Sequence, residues 1–284
     1  APYAERSAAP ALEPVYTDGV VLKDLGFTEN AAEYGAGILM DYAEVSIDRC
    51  AFQGLLSFEG SAIRAFESDI AITRSSFAYN GMFTVPFEAA DADAYSRHGV
   101  DLQAALDKLP LSADEMAAQA EILPCFYGGA ISAIGGSLDV AGSLFALNGA
   151  VNAGGAILGY GNTMRTDDTV FILNGVETGD IDSLADGVDD VDGYLSVLED
   201  NGVYIEPYGG GAVFHALGTY SAKRTMFLGG FGDPGAALAS FAGNSTLRDC
   251  IIEGSDGAAV VAIPSGPVNN ALGGPAVQGV PIPP

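Results

Sequence analysis

The 284-residue chain has no tryptophan, two histidines, three cysteines, and 11 basic residues against 37 acidic ones. Each shortage removes a class of function. A formal charge of −26 repels phosphate backbones and anionic lipid, which disfavours nucleic acid and membrane surfaces as partners. Cys50, Cys125 and Cys250 have no metal-ligand spacing, and an odd count leaves no fully paired disulfide framework. No G-x-S-x-G, Walker or dinucleotide fingerprint occurs. The glycine-rich GGAI and GYGNT segments lead into no helix whose N-terminus would meet a phosphate. The most apolar stretch, 128–161, carries a single charge, Asp139, but glycines interrupt it and its apolar residues alternate, so no membrane-spanning helix is expected. The opening APYAERSAAP is polar and reads as no signal peptide.

What the chain has in plenty is glycine, 38 residues, and repetition. Within 128–175 one phrase is written twice: GGAI opens it and F-x-x-N-G closes it. Ala130 to Phe145 and Ala156 to Phe171 are both fifteen residues apart. Extending this outwards gives a column of Phe27, Phe52, Phe77, Phe145, Phe171, Phe227 and Ile252. Within uninterrupted stretches its members are 25 or 26 residues apart. Fifteen residues earlier stand Leu12, Gly37, Ala62, Ala130, Ala156, Ala212 and Ala237. Pairs such as Val45/Ile47, Ile70/Ile72 and Leu138/Val140 alternate with polar residues, the mark of a strand with one buried face. Two residues before the aromatic come Leu25, Cys50, Ser75, Ser143, Thr169, Thr225 and Cys250, a mostly small column suited to an inward stack.

A lap of 25 residues holds three short strands and their turns. The expected fold is therefore all-β: a right-handed parallel β-helix of about eight coils, stacked at about 4.8 Å per coil. A leucine-rich horseshoe is the structural rival, and its repeat signature is absent. A single domain is expected over 1–263. The proline- and glycine-rich stretch 264–284 is expected to be extended and to continue the ladder poorly.

Two spacings break the period. Phe77 to Phe145 is 68 residues and Phe171 to Phe227 is 56. Both excesses begin after an F-x-x-N-G closure, so insertions at 81–126 and 176–208 are expected to leave the same corner. The first contains VDLQAALDKL and SADEMAAQAEIL, which have helical spacing; the second is dense in acid, with a short helix expected near 193–198.

GGAI…F-x-x-N at this spacing resembles the repeat of the polymorphic outer membrane proteins. The match is clearest at 128–148 and 154–174 and partial in GSAI…FAYN and GGAV…FLGG. The resemblance implies a right-handed β-helix passenger, an extracellular or cell-surface role in adhesion, and no catalysis. No C-terminal membrane barrel is visible in this chain.

Candidate sites follow from residue chemistry. Asn30, Asn80, Asn148 and Asn174 close laps and are expected to form a side-chain amide ladder at a turn. Asp180, Asp182, Asp186, Asp189, Asp190 and Asp192 offer hard oxygen ligands for calcium, though without the EF-hand or β-roll order; otherwise no cofactor is expected. Asp167 and Asp168 should lie beneath Lys223 and Arg224, as a cross-coil salt bridge or as part of an anionic-sugar site. His98 falls in the first insertion and His215 is expected to be exposed. Asn244-Ser245-Thr246 is an N-glycosylation sequon. Expected partners are other copies of the chain, other surface proteins, or glycans. Three functions remain: a structural or adhesive surface protein, a filament or appendage subunit, and a β-helix polysaccharide lyase or hydrolase.

Overall fold

The computed structural model describes residues 17–81, 99, 104, 125–176, 209–232, 235–256 and 258–263. These residues are nearly all strand, in three parallel seven-stranded sheets and one two-stranded pair. The chain visits the three large sheets in rotation. The first sheet takes Thr17–Lys23, Ala43–Asp48, Asp69–Thr73, Ser137–Ala141, Thr163–Asp167, Thr219–Lys223 and Asn244–Arg248. The second takes Gly26–Thr28, Ala51–Gln53, Ser76–Ala78, Leu144–Ala146, Val170–Ile172, Met226–Leu228 and Ile251–Glu253. The third takes Ile38–Asp41, Ile63–Phe66, Ile131–Ile134, Ile157–Tyr160, Val213–Ala216, Leu238–Phe241 and Val260–Ile263. Of the helices expected within the insertions only Ala104 is described, and it is helical; the rest of them, and the 264–284 tail, lie outside the described residues.

Within each large sheet the strands between the first and the last pair in parallel with their counterparts one lap earlier and one lap later, in matching columns; the first sheet slips by one residue between Thr17 and Val20. Phe52 faces Phe77, Phe77 faces Phe145, and Phe171 faces Phe227. Like therefore stacks on like. The rings of Phe27, Phe52, Phe77, Phe145, Phe171 and Phe227 lie face to face, with centroids 4.6–5.1 Å apart. Strand alternation is equally regular. Ala43–Asp48 has Ala43, Val45 and Ile47 buried and Glu44 and Ser46 exposed, and the buried side belongs to one continuous core. Burying one such Phe is worth about 2–3 kcal/mol, with a further contribution from each stacked pair.

The GGA opening has a steric cause. Gly128 adopts φ +61°, and a Cβ there would lie 2.3 Å from the Ile131 carbonyl oxygen. At Gly129 a Cβ would lie 2.1 Å from the Gly155 oxygen in the next lap. The backbone turns a corner too tightly for any side chain. Ala130 and Ala156 beside it have no exposed surface.

Candidate functional site

Two ladders of polar side chains run through the stack. In the first, Asn148 Nδ2 donates to Asn174 Oδ1 (2.8 Å) and to the Phe77 carbonyl (3.0 Å). Its Oδ1 accepts from the Asn80 backbone N–H (3.1 Å) and from Asn80 Nδ2 (2.9 Å). Both amide hydrogens and both oxygen lone pairs are thus used. Asn80 also donates to the Phe52 carbonyl, and Asn174 to that of Phe145. Asn30 does not join this set. It is exposed, and the next lap carries Leu55 in the same column, so there is no amide to meet.

The second ladder is the small column. Ser75 Oγ donates to the Thr73 carbonyl and accepts from the Cys50 N–H. Ser143 does the same one lap on, accepting from the Ser75 N–H. These hydroxyls are buried and saturated by backbone, which leaves them unsuited to nucleophilic work.

Both insertions leave from one column. Gly81, Gly149 and Gly175 bridge one another in successive laps. The chain is back in register at Tyr127 and Gly209, and these bridge through Ala153 of the lap between. The insertions are tighter than the expected bounds: each starts one residue later, since Gly81 bridges Gly149 and Val176 pairs with Ala150, and the first ends two residues earlier, since the Cys125 and Phe126 carbonyls accept from the Val151 and Asn152 N–H groups. Between Ala150 and Ala153 the uninterrupted lap needs only Val151 and Asn152, both buried, to cross the same corner.

A charged stripe follows a different corner. Asp24, Arg49, Arg74, Asp168, Arg224 and Asp249 all sit at positive φ in one column, where Gly142 fills the remaining lap. That conformation costs a non-glycine residue about 1 kcal/mol, tolerated because flanking strands fix the turn. Arg224 makes two bonds to Asp168 (2.7 and 2.8 Å) and reaches Asp167 at 2.7 Å. Arg49 forks onto Asp24 in the same way. The arginine hydrogen bond holds the Asp168 carboxyl below its ordinary range. Three of the four charged residues that sequence offered for sugar chemistry, Asp167, Asp168 and Arg224, are occupied with each other. They are exposed and screened, so Arg224→Ala should lower the melting temperature only slightly at low salt and not at all in 1 M salt; thermal melts at both ionic strengths check this.

Three buried polar sites escaped the sequence reading. His215 is not exposed, as expected, but has no solvent-accessible surface. All four residues of its strand are buried, and His215 lies two residues from the core residue Val213, on the same face, in a column between Gly159 and Ser240. Neither ring nitrogen has a hydrogen-bond partner. Burial drives its pKa down to about 4, with the nearby Asn162 backbone pulling weakly the other way. Beside it Tyr220 OH and Thr166 Oγ1 share a hydrogen bond at 3.0 Å, and the ring centroids of His215 and Tyr220 are 6.2 Å apart. On the outer side of the third sheet, buried Glu59 accepts from Ser132 Oγ at 2.5 Å. Arg64 Nε approaches Glu59 to 3.9 Å, and its guanidinium lies 5.8 Å from both the Tyr34 and Phe66 rings. Burial also pushes the Cys125 thiol up to about 11, which keeps it a thiol.

Among the described residues no group of three or more His, Cys, Asp or Glu is placed to hold a metal ion. The six aspartates 180–192 proposed for calcium, and His98, lie outside those residues. Asn244 is exposed at the start of its strand. Also among the described residues, no helix is long and apolar enough to cross a membrane. Comparison with protein-family models, curated proteins and solved structures finds no match.

Proposed function

We propose that the chain is a right-handed parallel β-helix of about eight coils serving as a non-catalytic structural or adhesive scaffold, extracellular or on a cell surface. It displays its two insertions side by side for recognition. The observation that carries this is the shared column of departure: Gly81, Gly149 and Gly175 on the way out, Tyr127, Ala153 and Gly209 on the way back. Two long inserts two laps apart, with one uninterrupted lap between them, make one composite surface on a regular platform, and solenoids place their binding loops this way. Right-handed coiling follows from the usual hand of parallel crossovers. The polymorphic outer membrane protein resemblance agrees with the reading, since the GGA corner and the Asn column are its motif residues. The enzyme alternative is disfavoured because Asp167, Asp168 and Arg224 are tied in one ion-pair cluster. Calcium held by the second insertion remains part of the proposal.

The test uses the full chain and a variant in which 82–124 is replaced by a single alanine, the counterpart of Ala150, and 177–208 by the two-residue crossing Val-Asn seen at Val151-Asn152. Both are assayed on immobilised mammalian and bacterial cell-surface glycans and on whole cells, with and without calcium. The full chain should bind, and the variant should keep its β spectrum and lose at least tenfold in binding. New reducing ends or unsaturated uronate released from acidic polysaccharides by the full chain would establish an enzyme instead.

A further inference from the structure

Three of the four asparagines that close laps are followed by glycine: Asn80-Gly81, Asn148-Gly149 and Asn174-Gly175. At two of them the glycine is a steric requirement. A Cβ at Gly81, which has φ +78°, would lie 2.2 Å from the Gly149 carbonyl oxygen of the next lap. One at Gly175 would lie 1.9 Å from Phe231 Cζ. The corner is therefore written in the dipeptide whose asparagine is least shielded from its own backbone. In a flexible chain the glycine nitrogen, unhindered by a side chain, attacks the asparagine Cγ. The new N–Cγ bond closes a cyclic imide. The side-chain nitrogen, with the proton lost from the glycine N–H, leaves as ammonia. Water then opens the ring to aspartate or isoaspartate.

The fold holds back each step. The glycine N–H groups are committed to neighbouring laps: Gly81 donates to the Leu55 carbonyl (2.9 Å), Gly149 to that of Asn80 (3.1 Å) and Gly175 to that of Asn148 (3.0 Å). The side-chain amides are held by the ladder. Asn80 Nδ2 donates to the Phe52 carbonyl and Asn148 Oδ1, and Asn148 Nδ2 to the Phe77 carbonyl and Asn174 Oδ1. Asn174 Nδ2 donates to the Phe145 carbonyl. The oxygens are held too: Asn80 Oδ1 accepts from the Leu55 N–H, and Asn174 Oδ1 from the Asn148 N–H. All three asparagines and their glycines are buried, which keeps the hydrolytic water out as well. To react, a side chain must leave its ladder partners while the next N–H leaves the adjacent lap. Both bonds break together only when the laps part.

We infer that Asn80, Asn148 and Asn174 are latent deamidation sites, protected by the stack and converted at a rate set by how often the ladder opens. The change is one-way. Aspartate at position 148 keeps the acceptor but has no amide hydrogen for Phe77 or Asn174, and it brings a charge into a buried column. Isoaspartate adds a methylene to the main chain and breaks the column that the Asn ladder needs. The residues that lock these laps together thus also record their separation. This depends on the ladder geometry and not on any binding role of the insertions.

The test incubates the full chain in mildly alkaline buffer, folded and in concentrated urea. Peptide mass spectrometry reads conversion at positions 80, 148 and 174 separately. At each position the folded chain should convert at least about 100-fold more slowly than the unfolded one, because the reaction is confined to a rarely opened state. Asn148→Ala removes the ladder partner shared by Asn80 and Asn174. Once its native β spectrum is verified, it should speed folded-state conversion of both by at least about tenfold. Asn30→Ala, outside the ladder, should leave both rates unchanged. Conversion of any of the three in the folded chain at the rate seen in urea overturns the proposal, and so does resistance of all three in urea. Equal folded-state rates at Asn80 and Asn174 in the full chain and in Asn148→Ala overturn it too, since the ladder would then not be what protects them.

Discussion

Asn148→Ala should cost about 4 kcal/mol, a large share of a typical domain's stability. The side chain itself carries little of this. Its removal strands four buried partners at once: the Asn80 N–H and Nδ2, which it accepts from, and the Phe77 carbonyl and Asn174 Oδ1, which it donates to. Each orphaned group loses on the order of 1–3 kcal/mol, and partial relaxation brings the total below the sum. Asn148→Asp fares no better, since it keeps the acceptor, loses the donor and buries a charge. The control lies in the same column. Asn30→Ala, at an exposed position without an amide neighbour, should change stability by no more than about 0.5 kcal/mol. Urea unfolding of the three variants decides the matter, and equal losses for Asn30→Ala and Asn148→Ala would show that the ladder contributes nothing specific.

Acid should unfold the protein earlier than its carboxylates alone require. His215 titrates near 4 when folded and near 6.5 when unfolded, because burial disfavours the imidazolium. Above pH 6.5 both states are neutral at this residue and it has no effect. As pH falls from 6.5 to 4 the unfolded state binds a proton that the folded state refuses, and stability drops by ~3 kcal/mol in total. Asp168 acts in a lower window. Its folded pKa is depressed by Arg224, so its stabilisation is present above the unfolded value of 3.8 and is lost as pH falls through the folded one. His215→Leu, similar in volume and without ionisation, should flatten the curve between pH 6.5 and 4 and leave the lower limb in place. An unchanged slope in that range would mean that His215 is protonated, or hydrated, inside the fold.

Much of the architecture was legible because parallel stacking converts spatial neighbours into sequence neighbours at a fixed period. A column of Phe at 25-residue spacing has few other physical causes, and the register of Phe52 on Phe77 on Phe145 follows from it across a 43-residue insertion. The same logic located the common column of departure at Gly81 and Gly175. It placed Asp167 beneath Lys223, though not which of the four neighbouring charges would pair. The misreadings came from residues judged singly. Asn30 matches the motif, but a ladder needs an amide in the next lap, and Leu55 stands there. His215 looked exposed because histidine is polar; its strand parity with Val213, and Gly159, Ser240 and Ala133 in its column, were the signal that a large inward side chain fits. The Glu59–Ser132 contact joins residues 73 apart, and nothing in the period marks it.

The central claim is that successive laps are interchangeable layers of one stack. Removing residues 38–62 deletes one lap, the 25-residue unit seen between Leu55 and Asn80. Gly37 then joins Ile63, Phe27 lies on Phe77, and Asn30 meets Asn80. Removing 38–49 deletes about half a lap and throws every following column out of register. Far-UV circular dichroism through a thermal melt, applied to both deletions, should show a cooperative β-sheet transition for the first and none for the second. A cooperative transition in the half-lap deletion, or its loss in the whole-lap deletion alone, would contradict the account.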